Sequence, residues 1–253
     1  MRVLAIAHNT FRESVRDKVL YVLLLFAALS ILGAKALGWI SVGQDIKIVK
    51  DISLASISLF GVLVAIFVGT SLVYKEMDKR TLYTIISQPL HRYEFVLGKY
   101  VGLAAVLALV TAVMTLSSAC YVLVLGGSLE AVYFLAAFLI FMKLLLVTAF
   151  ALLLSSLSSP ILGAIIVFCL YLFGHATGVF KDLPPQFEGT FAKQMLEVAY
   201  YVIPNLSNFD LRSEAANGVA VNPLFVVWVL IYGVSYSAVF LLLAASAFQE
   251  KDL

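Results

Sequence analysis

Residues 131 to 154 read AVYFLAAFLIFMKLLLVTAFALLL, with Lys143 the single charge. At about 1.5 Å of rise per residue such a run covers the roughly 30 Å hydrocarbon core of a bilayer. The solvent it calls for is lipid.

Working outward, Val19 to Ile40, Ile52 to Tyr74, Tyr100 to Leu125, Ile161 to Phe180 and Leu224 to Phe248 meet the same length and polarity test. All prolines, at positions 89, 160, 184, 185, 204 and 223, fall between these stretches, as expected where helices satisfy their own backbone groups in lipid. The composition agrees, at 62% hydrophobic and 13% charged residues with a mean hydropathy of +1.03. The expectation is an all-α polytopic membrane protein with six transmembrane helices, organised as one domain over residues 1–253. The first apolar run is too long for a signal-peptide core, and no small-residue cleavage site follows it cleanly, so it is read as a retained span. Cys120 and Cys169 lie inside apolar segments, where a thiol acts as a small hydrophobe, and suggest neither a disulfide framework nor a metal site.

The net charge of +2 does not point to nucleic acid, but its distribution orients the chain. Six spans put both termini on one side, together with Arg2, Arg12, Arg16, Lys18, Lys75, Lys79, Arg80, Arg92, Lys99 and Lys251. The other side holds Lys35, Lys47, Lys50, Lys181, Lys193 and Arg212, mostly in longer or looser segments. The positive-inside rule therefore favours cytoplasmic termini.

Ahead of the first span, Val3, Ala7, Phe11 and Val15 recur at helical spacing, with Arg12, Glu13, Arg16 and Asp17 on the other side. This predicts an amphipathic helix in the headgroup layer, either an anchor or a partner-binding element. The connections at 126–130 and 155–160 are short enough to make the third, fourth and fifth spans antiparallel neighbours, and residues 41–51 read as a modest outer loop. Two gaps are long, Lys75 to Lys99 inside and Lys181 to Pro223 outside. In the first, Leu82, Ile85 and Ile86 form one apolar face before Pro89, with a second turn from His91 to Leu97. In the second, a helical candidate from Phe191 to Val202 precedes the turn-rich PNLSNFD at 204–210, and apolar Phe191, Met195, Val198, Ala199 and Val202 suggest an interfacial or re-entrant piece, a packing lid or a disordered loop.

No HExxH, GxSxG or paired-cysteine motif is present, which argues against an enzyme. Gly98-Lys99 imitates the end of a phosphate-binding loop, but Tyr93 stands where its first glycine would be and Tyr100 where Ser or Thr would follow. A nucleotide would have to be bound by another polypeptide. Lys143 at mid-span needs a polar place, because a lysine there costs about 2.5–3.5 kcal/mol on an insertion scale. A structural pairing or a transport path would each supply one. His175, within GHATG at 174–178, reads as a packing seam or a proton relay, and Gly98 with Gly102 forms a similar small-residue seam. Glu130 and Lys35, near span ends, are read as snorkelling. The lack of several intramembrane carboxylates argues against ion-coupled secondary transport.

The loop between spans two and three carries E-x-x-x-x-T-L, then S-x-P-x-x-R-x-E, then G-K, on Glu76, Thr81, Leu82, Ser87, Pro89, Arg92, Glu94, Gly98 and Lys99. With SSLSSP at 155–160, PNLSNFDLR at 204–212 and the ending AFQEKDL, the order of motifs resembles the type 2 permeases of the ATP-binding cassette (ABC) transporters over nearly the whole chain. It looks most like the subgroup that serves nitrous oxide reductase maturation. The resemblance implies a non-catalytic permease of a bacterial inner membrane that dimerises, or pairs with a second permease, and docks ATPase subunits that carry ATP and magnesium. It implies a cytoplasmic coupling helix between Glu76 and Lys99, with Glu76, Arg80, Thr81, Ser87, Pro89, Arg92 and Glu94 contacting the ATPase, and transport in the export direction. Lys143 and His175 are candidates for a translocation path. A secondary transporter independent of nucleotide, or a scaffold that transports nothing, are the competing classes.

Overall fold

The computed structural model describes residues 2–38, 44–78, 92–181 and 203–250. Among these there are only helices: α1 (Arg2–Val15), α2 (Lys18–Gly38), α3 (Asp45–Asp78), α4 (Arg92–Val124), α5 (Ala131–Leu157), α6 (Pro160–Lys181), a 3-10 turn (Leu206–Phe209), α7 (Arg212–Asn217) and α8 (Pro223–Glu250). Five of them, α2, α3, α4, α5 and α8, are long and apolar enough to cross a membrane. The sixth expected span is the helix α6, whose described apolar part, Pro160–Ala176, is shorter than a full crossing.

Helices α3 and α5 form the centre. α3 packs on α2, α4, α5, α6 and α7, while α5 packs on α3, α4, α6, α7 and α8. Their buried side chains, Leu54, Ile57 and Val62 from α3 with Leu139, Ile140, Leu144 and Val147 from α5, make the middle of one continuous core. The close approach requires Gly61, where a Cβ would lie 2.6 Å from the Leu144 side chain. α4 is tied to α5 by the Ser118 and Tyr133 hydroxyls at 2.7 Å. α2 and α8 are peripheral and turn Leu25, Leu29 and Leu32, or Trp228, Val234 and Leu242, outward. In water such faces would be a liability; in lipid they meet acyl chains.

Several boundaries differ from the expectation. Residues 45–51, expected in a loop, are the first two turns of α3, so Lys47 and Lys50 are helical. The turn expected at His91–Leu97 is, from Arg92 on, continuous with α4. Helices with satisfied backbones simply run on past the hydrocarbon boundary. Glu130, read as snorkelling, instead accepts from Lys50 Nζ at 2.8 Å and from Ser128 Oγ at 2.8 Å. A lysine only 4% exposed needs a counter-charge, and the α4–α5 turn, with Gly126 at φ +80, delivers one. The stretch 191–202 and the middle of the expected coupling segment, residues 79–91, lie outside the described residues. That range contains Arg80, Thr81, Ser87 and Pro89.

Candidate functional site

α1 does not simply float in the headgroup layer. It packs along the beginning of α4 through the glycines singled out in the sequence. A Cβ on Gly98 would meet the Ile6 side chain at 2.7 Å and the Val3 carbonyl at 3.2 Å, and one on Gly102 would meet Thr10 at 2.6 Å and the Ala7 carbonyl at 2.7 Å. The contact advances four residues along both helices, so they run in the same direction. The buried face of α1 is Ala7, Thr10 and Ser14, one position round from the apolar stripe the spacing predicted, with Phe11 and Val15 partly buried at its edge. Ser14 satisfies itself by donating to the Thr10 carbonyl at 2.8 Å. Arg12 and Glu13 stay exposed.

The α4 segment beneath this seam holds the C-terminal part of the expected coupling region. Glu94 sits in the first turn of α4, where a carboxylate favours the positive end of the helix dipole. Lys99 is buried with its ammonium 5.6 Å from the centre of the Phe95 ring. Glu76 belongs to α3 and Arg92 opens α4, but their side chains lie outside the described set.

A second polar constellation occupies the middle of the bundle. Lys143 is 1% exposed and donates to Ser58 Oγ of α3 at 2.7 Å. It also faces His175 Nε2 of α6 at 3.4 Å. His175 Nδ1 lies 3.1 Å from the Tyr171 carbonyl, which can only accept, so the proton is on Nδ1 and Nε2 is free to accept from the ammonium. The structure thus brings together the two intramembrane residues singled out in the sequence.

It also adds partners that sequence reading did not connect to them. Residues 204–217 fold back into the bundle as a re-entrant segment. Phe209 abuts Gly233, ten residues into α8 and so about 15 Å along it. At Gly174 a Cβ would stand 2.7 Å from Leu206 and 2.9 Å from the Pro204 carbonyl, so this glycine seats the re-entrant chain instead of another helix. Non-helical backbone at such depth must have its polar groups met by protein. The Asn205 N–H donates to Tyr232 Oη at 2.7 Å, and Asn205 Oδ1 accepts from the Ser207 N–H at 3.1 Å. Arg212 grips Asp210 with Nε to Oδ1 at 2.8 Å and Nη2 to Oδ2 at 2.7 Å. The bidentate pairing leaves neither the Asp210 carboxylate nor the Arg212 guanidinium uncompensated inside the bundle. α7 ends at Gly218, which takes φ +68 and donates to the Glu214 carbonyl.

Chemically this cluster can compensate a charge and fix helices. Among the described residues it contains no nucleophile-base pair, and no group of three or more His, Cys, Asp or Glu that could hold a metal. Cys120 and Cys169 are free and face outward.

Comparison with known proteins places these features in context. The family model described as ABC-2 family transporter protein matches residues 4–253. The chain is 34% identical over 165 residues to the probable ABC transporter permease protein NosY of Pseudomonas aeruginosa, an alignment covering 62% of this chain and 59% of that relative. The chain therefore spans less than two thirds of that relative's length.

Proposed function

Because this chain belongs to the ABC-2 family of transporter proteins, we propose that it is the membrane-spanning permease subunit of an ATP-driven exporter that dimerises and draws its energy from separate ATPase subunits. The observation that carries this reading is the extent of the family match, which runs through residues 4–253 and includes every motif noted above. The resemblance of the Gly98-Lys99 pair to a phosphate-binding loop is too poor to hold a nucleotide, so ATP and magnesium belong to the partner and the permease itself catalyses nothing. The setting is a bacterial inner membrane, crossed six times with both termini in the cytoplasm.

In this account the coupling helix lies between Glu76, near the end of α3, and Lys99, in the second turn of α4. Glu76, Arg80, Arg92 and Glu94 make ionic contacts with the ATPase, and Thr81, Ser87 and Pro89 also contact it. The docking of α1 on α4 through Gly98 and Gly102 supports this, because it makes the amphipathic helix and the root of the coupling segment one rigid piece. A rigid piece transmits rotation when the ATPases close. The test is Arg92→Glu in proteoliposomes containing permease and ATPase. Membrane insertion should persist while transport-linked ATP hydrolysis falls; hydrolysis coupled as in wild type would overturn the assignment.

The enclosure of Lys143 bears on the competing reading, a nucleotide-independent transporter with Lys143 and His175 as its polar site. An ammonium 1% exposed and already bonded to Ser58 serves better as a joint between α3, α5 and α6 than as the lining of an open route. The translocation path then forms where two protomers meet. Flux that persists without the ATPase and collapses with the proton gradient would favour the competitor.

A further inference from the structure

At the end of the bundle away from α1, a cavity of about 630 Å³ opens between the end of α2, the first turns of α3, the α4–α5 turn and the end of α7. Three lysines, Lys35, Lys47 and Lys50, and two carboxylates, Asp45 and Glu130, line it. The Lys50–Glu130 bridge at 2.8 Å consumes one charge of each sign. Among the described residues this leaves Lys35 and Lys47, both exposed, against Asp45. The Ile48 N–H bonds the Gln44 carbonyl at 3.2 Å, so the amides of Asp45, Ile46 and Lys47 precede the first helical bond of α3 and add the positive end of a long helix to the same opening.

We propose that this cavity binds the phosphate headgroup of an anionic phospholipid, with Lys35 and Lys47 as its cationic ligands. Two observations favour a lipid over a free anion. Ile46, Val49 and Leu125 give the cavity an apolar floor that a phosphate ion would not use. Below Lys35, Leu25, Leu29 and Leu32 line one outward face of α2 at helical spacing, a track for an acyl chain leading to the lysine. A headgroup at the rim and a tail along α2 use both halves of the site.

The inference rests on the reading that α2 and α3 span a bilayer and is independent of the ATPase. The test uses the full chain in phosphatidylcholine nanodiscs containing fluorescent phosphatidylglycerol. Wild type should enrich phosphatidylglycerol around itself, and Lys35→Gln/Lys47→Gln should weaken that preference by about tenfold. Arg12→Gln/Arg16→Gln, which removes the same charge from the amphipathic helix at the opposite end, should weaken it far less. Equal enrichment by wild type and the lysine double variant would overturn the proposal, as would equal losses in the two double variants. Inorganic phosphate that saturates the wild type while phosphatidylglycerol is not enriched would assign the cavity to a soluble anion and also refute it.

Discussion

The Lys143 ammonium of α5 donates to the Ser58 hydroxyl of α3 at 2.7 Å, joining across 85 positions the two central helices of the bundle. Ser58→Ala should destabilise the protein by about 1–3 kcal/mol, because it leaves a buried donor under-satisfied. Lys143→Met should cost less or even stabilise, since an apolar residue of similar length removes the buried charge altogether. In the double variant the Ser58→Ala penalty should largely vanish. Thermal unfolding in detergent checks this; additive effects would show that the pair is not coupled.

Asp210→Asn should be more damaging than any exposed charge change. It leaves the Arg212 guanidinium without its bidentate partner and strips Lys143 of a nearby negative charge. Asp210→Asn/Arg212→Gln should recover part of the loss, because neither charge is then stranded. Protease sensitivity within 204–217, read with and without the second substitution, reports the outcome.

Much of this architecture was legible in the chain because lipid allows so few solutions. Apolar length located α2 to α6 and α8, Gly98 and Gly102 were marked as a seam, and Lys143 and His175 stood out as polar groups in apolar runs. What could not be read were the long-range pairings: Lys143 to Ser58, Lys50 to Glu130 across 80 positions, and the approach of Asp210. Hydropathy carries no information about which helix a polar atom faces. A signal for the re-entrant fold did exist in PNLSNFD, where apolar Leu206 and Phe209 sit among turn formers, but nothing local said that Gly174 and Gly233 would receive them.

The α1–α4 seam predicts a graded series of glycine substitutions. Gly102→Ala places a methyl against the Ala7 carbonyl, a backbone atom that cannot swing away, and should lower stability by about 1–3 kcal/mol while loosening α1. Gly33→Ala in α2 meets nothing within 4 Å and should be neutral or gain up to about 1 kcal/mol from helix propensity. Calorimetric or fluorescence melts distinguish them.

The Lys50–Glu130 bridge predicts a pH signature. Hydrogen bonds from Lys50 and then Ser128 hold the Glu130 carboxyl below its ordinary range. Its stabilising contribution is therefore fully present above the ordinary glutamate pKa of about 4.3 and is lost as pH falls through the lowered value. Melting midpoints of wild type should exceed those of Glu130→Gln at neutral pH, and the two should converge in acid. A difference that persists at the lowest pH would refute this account of the pair.

The central claim is that this membrane chain is driven by a separate motor held at its coupling segment. Purification of the tagged chain in mild detergent tests it most directly. The account predicts that a soluble P-loop ATPase accompanies the permease in a one-to-one ratio and is lost on Arg92→Glu. A permease that purifies alone and moves its cargo in vesicles without any nucleotide-binding partner would contradict it.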